Sequence, residues 1–104
     1  DFMANQISQG DQYHISMAIK FNGETIDMSK VEKVEITLHN KTKLYPEEIT
    51  YSDGVFLYPV TQEETFSLPR IVEAQVRVKF KNTDVFTSPT EQIDVIRSLS
   101  KEIL

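Results

Sequence analysis

The chain of 104 residues contains no cysteine, no tryptophan and only three glycines. Without cysteine it has neither a disulfide nor a thiolate for catalysis or metal binding. The lack of tryptophan argues against a carbohydrate-binding module, which usually needs a planar aromatic platform built with that residue. Each glycine stands in a turn-type sequence, Gln9-Gly10-Asp11, Asn22-Gly23-Glu24 or Asp53-Gly54-Val55. No glycine-rich loop that could hold a phosphate group is therefore present.

Long apolar runs and a basic, apolar leader are also lacking. No stretch approaches the roughly 20 apolar residues that span a bilayer, and the first residues show no signal-peptide pattern. We therefore expect no contact with a membrane. Asp1-Phe2, ahead of Met3, is interpreted as a remnant of cloning.

The charge balance is acidic. Sixteen acidic residues outnumber eleven basic ones, and the formal net charge is -5. Binding to a nucleic-acid backbone requires clustered lysine and arginine, whereas the closest approach to a cluster here is Arg77, Lys79 and Lys81 on one strand face. We predict that nucleic acid is not a partner.

The residues that could perform chemistry do not form a set. The two histidines, His14 and His39, fall on the polar faces of predicted strands, and no metal-ligand spacing accompanies them. Glu47-Glu48 and Glu63-Glu64 are adjacent pairs, whereas acid–base carboxylates must converge across a cleft. We predict no enzymatic activity, no metal and no cofactor.

Alternation of apolar and polar residues with a period of two is the main structural signal. It is clearest where Val72, Ala74, Val76, Val78 and Phe80 alternate with charged and polar neighbours. Turn-forming residues separate the alternating runs, as at Asn22-Gly23. The strands predicted in this way are Tyr13–Phe21, a short return over Glu24–Met28, Val34–Leu38, Thr42–Tyr45, Val55–Val60, Val72–Phe80, Val85–Ser88 and Glu91–Ile96.

One short helical turn interrupts the strands. Thr61 followed by Glu64 is a capping-box pattern, which predicts a helical turn over Gln62–Ser67. Six to eight short strands with so little helix are typical of an all-β, antiparallel β-sandwich, and a small β-barrel is the alternative. We expect a mobile lead over residues 1–10, a β-sandwich domain over residues 11–97 and an apolar C-terminal tail over residues 98–104.

The aromatic residues of the middle third are candidates for a partner surface. Tyr45, Tyr51, Phe56 and Tyr58 cluster there, and tyrosine suits a core edge and an interface equally. The run Val55–Val60 is apolar on both faces, so it needs a second cover. We assign Val55 and Leu57 to the core and the two aromatic residues that alternate with them to the surface, because aromatics are common at interface hot spots.

The end of the chain is a second candidate surface. Ile96, Leu99 and Ile103 recur at three and four residues, with Leu104 next to them, and this spacing predicts a short amphipathic helix. A helix this short must dock to be stable. Folding back on the same sandwich and docking on a neighbouring copy or another partner are both open, so Leu99, Ile103 and Leu104 are candidate contact residues.

Taken in order, several stretches resemble a known family. The Gln9-Gly10-Asp11 lead, the strand that follows, Asn22-Gly23 and "MSKVEKVEITL" are similar to the N-terminal β domain of phage baseplate upper proteins. "YSDGVFLYPVTQEETFSL" and "VEAQVRVKFKNTDV" extend the likeness, which covers roughly residues 8–104. The chain also resembles small prophage proteins that end in a similar "SLSKEIL".

The resemblance implies an immunoglobulin-like sandwich and a non-enzymatic role as a bacteriophage structural or assembly protein of the tail or baseplate. Its partners would be other virion subunits or further copies of itself, and it would be found in the virion or, during assembly, in the host cytoplasm. The alternative is a phage-encoded acidic inhibitor that binds a host protein.

Overall fold

A computed structural model describes residues 6–104. Within this range the chain forms strands, one α-helix of five residues and one 3-10 helix, Met28–Lys30. The elements are β1 (Gln6–Ser8), β2 (Tyr13–Met17), β3 (Lys20–Phe21), β4 (Glu24–Thr25), β5 (Val31–Leu38), β6 (Lys41–Tyr45), β7 (Thr50–Ser52), β8 (Val55–Val60), α1 (Gln62–Phe66), β9 (Ile71–Phe80), β10 (Val85–Thr87) and β11 (Glu91–Ile96).

The larger strands form two sheets around one core. The first sheet has the order β1-β11-β9-β5-β6, and β10 pairs with the far half of β9. The second sheet has the order β2-β8-β7, and β3 and β4 form a separate hairpin. Apart from β1, which runs parallel to β11, the pairings are antiparallel. This order matches the two sheets of an immunoglobulin-type sandwich, three strands facing a longer sheet that ends in an added edge strand. The predicted all-β fold is confirmed.

Local signals in the sequence place the turns and the helix where they were predicted. Asn22 and Gly23 both have positive φ, as do Asp53 and Gly54, which is the geometry of the two-residue turn that closes a hairpin. Thr61 caps α1, and the Glu64 carboxylate accepts a hydrogen bond from the backbone N–H of Thr61 to complete the capping box. The predicted helical turn is confirmed.

The core is formed by the apolar side of each alternating strand. On β9 the side chains of Val72, Ala74, Val76 and Val78 are buried, as predicted, while Phe80 is only partly buried. The corresponding side chains of β5 and β2 pack into the same cluster. Among residues 6–104, no buried side-chain nitrogen or oxygen lacks a hydrogen-bond partner.

Two predicted boundaries are wrong. The run Tyr13–Phe21 is not one strand, because β2 stops at Met17 and β3 belongs to the separate hairpin. The lead is not free over its second half: Gln6–Ser8 pairs with β11, and Ile7 is buried in the core. The pattern missed β1 because a three-residue strand is too short to show alternation. Residues 1–5 of the predicted lead lie outside the described residues.

Candidate interaction surfaces

Two hairpins meet at one end of the sandwich and carry an aromatic group there. We call Phe21, Phe80 and Phe86 the loop-end cluster. The ring of Phe21 lies 4.9 Å from that of Phe86 and 5.7 Å from that of Phe80, and the latter two rings are 5.9 Å apart. The rings meet edge to face or tilted, the arrangement that aromatic pairs prefer. Even so, Phe86 remains 46% exposed and Phe21 38% exposed.

Two rings of the loop-end cluster, those of Phe21 and Phe86, flank a small opening towards the core. A cavity of about 160 Å³ lies between β3, β10 and the end of β9. Buried Ile19, Ile26 and Val78 line it, and Phe21 and Phe86 stand at its sides. An apolar floor with an aromatic rim has the chemistry to receive an apolar side chain of another protein.

The loop-end cluster was not predicted from the sequence. Its residues come from β3 and from β9–β10, which are far apart in the chain and meet only through tertiary packing. A signal was nevertheless present, because Phe21 directly precedes the Asn22-Gly23 turn and Phe80 precedes the Asn82–Asp84 loop. Because turns lie at the surface, a phenylalanine beside each of two predicted hairpin turns indicates rings that are not fully buried.

The opposite end of the sandwich carries a second apolar group. We call Ile71, Ile96, Leu99, Ile103 and Leu104 the tail surface, and each of these side chains is exposed. Leu99 is the clearest case among the predicted contact residues, at 89% exposed. The exposure of Leu99, Ile103 and Leu104 agrees with their assignment to a surface, and contact with a partner stays a prediction.

The tail is held in place without forming the predicted helix. Residues 97–104 have no helical turn. The side-chain oxygen of Gln9 accepts hydrogen bonds from Ser98 N at 3.2 Å and Lys101 Nζ at 2.6 Å, and that of Gln62 accepts one from Leu104 N at 2.7 Å. Within the tail, Ser98 Oγ donates to Ser100 O. Such side-chain bonds compete with helical ones for the backbone, so the amphipathic spacing does not produce a helix.

The two apolar groups lie far apart. Strand β9 begins at Ile71 in the tail surface and ends at Phe80 in the loop-end cluster. At about 3.3 Å per residue, the nine steps between them span roughly 30 Å. The described part of the molecule is elongated, with extents of 47 × 23 × 22 Å. The exposed apolar side chains therefore concentrate at two ends of one rod.

The middle aromatics belong to the core, and the prediction of a partner surface is wrong for two of them. Phe56 and Tyr58 are fully buried, whereas Val55 and Leu57 are only half-buried. Tyr45 and Tyr51 are partly buried and pack edge to face on Phe56, with ring centres 5.6 and 4.8 Å away. The predicted facing of β8 is thus inverted. The alternation could not decide it, because both alternating sets on this strand are apolar.

A set of polar contacts joins the two sheets at the side of the sandwich near α1. Lys43 Nζ donates to Pro59 O at 2.6 Å and to Glu64 Oε1 at 3.1 Å, and it lies 5.0 Å from the centre of the Tyr58 ring. The Tyr58 hydroxyl donates to Lys41 O at 2.7 Å. Burial and then the charge of Glu64 raise the pKa of Tyr58 well above its usual range. These contacts join the two sheets, so their role is structural.

Glu64 remains a carboxylate in this setting. Burial by itself would raise the pKa of Glu64, but the hydrogen bond from Thr61 N and the Lys43 ammonium together hold it below its ordinary value. The side chain therefore keeps its negative charge near neutral pH, where it binds both the start of α1 and Lys43.

Both histidines are exposed, and His14 lies on the polar face of β2, as predicted. His39 is not on a strand face, because it lies in the turn that follows β5, with φ 56°. Over residues 6–104, no three His, Cys, Asp or Glu side chains are gathered closely enough to hold a metal ion. In the same range, no helix has the length and apolar character that a bilayer crossing requires.

Comparison with known proteins adds no relative to this description. No protein-family model, curated protein or solved structure matches the chain.

Proposed function

We propose that this chain is a non-enzymatic structural or assembly protein of a phage particle, of the tail or baseplate type, that acts through protein–protein contacts. One observation carries the proposal. Of the nine large apolar side chains that are exposed in the described residues, two lie in the loop-end cluster and five in the tail surface. A rod with an apolar group at each end suits a subunit that contacts one neighbour at each end.

The chemistry of the two ends supports contact with protein. Aromatic and aliphatic side chains are the usual anchors of protein interfaces, where a few buried residues supply most of the binding energy. The resemblance to the N-terminal domain of baseplate upper proteins supports a virion as the place where such contacts are made. An inhibitor of one host protein requires one binding surface, and the apolar groups here are at two.

The test asks whether the chain is part of the particle. Particles are induced from a strain that carries the gene, purified on a density gradient and analysed by quantitative mass spectrometry. We expect the chain to copurify with tail proteins in a constant ratio. If the chain is absent from particles and instead copurifies with a host protein in infected cells, the structural role is wrong and the inhibitor role replaces it.

Variants at each end test whether the two apolar groups are what brings the chain into the particle. Phe21→Ser with Phe86→Ser removes the exposed rings of the loop-end cluster, and Leu99→Ser with Ile103→Ser does the same for the tail surface. Leu57→Ser, on the half-buried outer side of β8 and at neither end, is the matched control. We expect both double variants to fold and to enter particles less often than the control. Equal incorporation of all three would mean that neither end is an interface.

A further inference from the structure

Over residues 6–104, no strand pairs with the outer edge of β2 in the second sheet. In the order β2-β8-β7, β2 has a strand on one side only. Its pairing with β8 is continuous over five residues, from Tyr13 opposite Val60 to Met17 opposite Phe56. An open edge strand offers a row of backbone donors and acceptors to any further strand.

The backbone groups that face this open edge can be identified from Pro59. Pro59 has no N–H, and its carbonyl oxygen accepts a hydrogen bond from Lys43. The two-residue Asp53-Gly54 turn makes Ser52–Val55 a hydrogen-bonded pair of β7 and β8, so the backbone groups of every second residue of β8 from Val55, including Pro59, point away from β2. The pair His14–Pro59 is therefore one of the antiparallel pairs that exchange no hydrogen bonds, and bonded and non-bonded pairs alternate along the ladder. It follows that the N–H and C=O groups of His14 and Ser16 point outward. Among residues 6–104 nothing bonds to these four groups.

The other edge strands have features that hinder pairing, such as Lys41 and Lys43 on β6, and the described part of β2 has none. On β6, the outward groups of Leu44 are taken by the following turn: its carbonyl oxygen accepts from Glu48 N at 2.7 Å and Ile49 N at 2.9 Å, and its N–H donates to Glu48 Oε1. The other edge strands, β1, β7 and β10, have three residues each. By contrast, β2 is five residues of "YHISM" without a lysine, proline or bulge, the devices that normally keep an edge from pairing.

We propose that β2 pairs with β2 of a second copy of this chain, antiparallel and about a two-fold axis at Ile15. In this register His14 of each copy lies opposite Ser16 of the other, and each such pair exchanges two hydrogen bonds. Four intermolecular bonds then join the two three-stranded sheets into one sheet of six strands. The outward groups of β2 are thus self-complementary, as a two-fold interface requires.

Side chains and charge favour a second copy as the occupant. His14 and Ser16 are exposed and carry no negative charge, so the acidic chains do not place like charges at the centre of the interface. The same register puts Tyr13 of each copy opposite Met17 of the other, at both ends of the ladder. Tyr13, which is exposed at the edge, would be partly covered by the second copy.

The pairing is independent of the proposed virion role, because it uses neither the loop-end cluster nor the tail surface. Its first test is the mass of the full chain in solution by sedimentation equilibrium, from about 10 µM to about 1 mM. An interface of five-residue strands is small and is expected to be weak. The mass should rise with concentration from the 12.0 kDa of one chain towards twice that value. A chain that stays monomeric up to about 1 mM overturns the proposal.

Two variants at Ser16 identify the interface. Ser16→Pro removes an N–H that faces the open edge and is not used by the β2–β8 ladder, a position where edge strands tolerate proline. It deletes two of the four intermolecular bonds, so the dissociation constant should rise by about 10- to 100-fold. Ser16→Lys keeps the N–H but adds a positive charge on each side of the dyad, so it should also weaken the dimer. This variant keeps the test decisive if proline disturbs folding. Ser52→Lys, on the exposed edge strand β7 of the same sheet, is the control and should leave the dimer unchanged.

Amide hydrogen exchange gives an independent readout. In the wild-type chain the amides of His14 and Ser16 should become protected as the concentration rises, while those of Ile15 and Met17 are protected throughout by β8. A dimer that survives both Ser16 variants, or one that forms without new protection at His14 and Ser16, would place the contact elsewhere and refute the pairing of β2.

Discussion

Replacing Phe56 by alanine separates a core role from a surface role for the middle aromatics. The ring is 0% exposed and has Tyr45 and Tyr51 packed against it edge to face. Truncating a buried phenylalanine to alanine costs about 3–5 kcal/mol of unfolding free energy, because the lost burial and the cavity add together. That cost is a large share of the roughly 5–15 kcal/mol by which a domain is stable. At about 4–8 °C for each kcal/mol, the midpoint of thermal unfolding should fall by roughly 12–40 °C.

Phe86→Ala is the matched control, because it removes the same atoms from a ring that is 46% exposed. About half of the apolar burial is lost there, together with edge contacts to Phe21 and Phe80, so we expect a cost of about 1 kcal/mol. Thermal and urea unfolding, followed by far-UV circular dichroism, measure both variants. Phe56→Leu, with an expected cost of about 1–2 kcal/mol, keeps the comparison measurable if Phe56→Ala does not fold. Equal losses at positions 56 and 86 would refute the assignment of β8 faces.

Three further predictions concern the core and the polar contacts around α1. Val76 is buried in the centre of β9, so Val76→Asp leaves an unpaired charge in the core and should prevent folding. Thermal melts followed by circular dichroism should then show no cooperative unfolding transition. A melt near that of the wild type would contradict this. The pKa of Glu64 is lower in the folded chain than its ordinary value of 4.5. The stability that ionised Glu64 contributes is therefore complete above the pKa of the unfolded state, and it is lost as the pH falls through the pKa of the folded state. The melting temperature should accordingly fall less steeply between pH 7 and pH 3 in Glu64→Gln than in the wild type. The same pH dependence in both proteins would show that Glu64 contributes nothing. Thr65 Oγ1 accepts from Gly10 N at 2.9 Å and donates to Asp11 O at 3.0 Å, so Thr65→Val should cost about 1–3 kcal/mol in urea unfolding; an unchanged midpoint would mean that water replaces the hydroxyl.

Most of the fold could be predicted from the sequence, because the signals that encode it are local. Alternation located β5, β9 and β11 and the buried face of β9, whereas a continuous apolar run located β8. Asn22-Gly23 and Asp53-Gly54 predicted their turns because few other residue types adopt positive φ readily. The candidate surfaces were harder to predict: the exposed tail residues were identified, while the aromatics were assigned to the wrong side and the loop-end cluster was missed.

The sequence by itself determined the elements, their turns and the acidic, cysteine-free character of the chain, since each depends on near neighbours or on composition. Tertiary structure alone decided which face of β8 is buried, because both faces are apolar and only packing in the core shared with the first sheet, together with the rings of Tyr45 and Tyr51, makes one of them the inner face. It also decided the conformation of the tail, whose backbone is held by Gln9 and Gln62 from distant parts of the chain. The open edge of β2 belongs to the same class: a strand's period shows which side chains are buried, but only the sheet order shows which backbone groups are left without a neighbour.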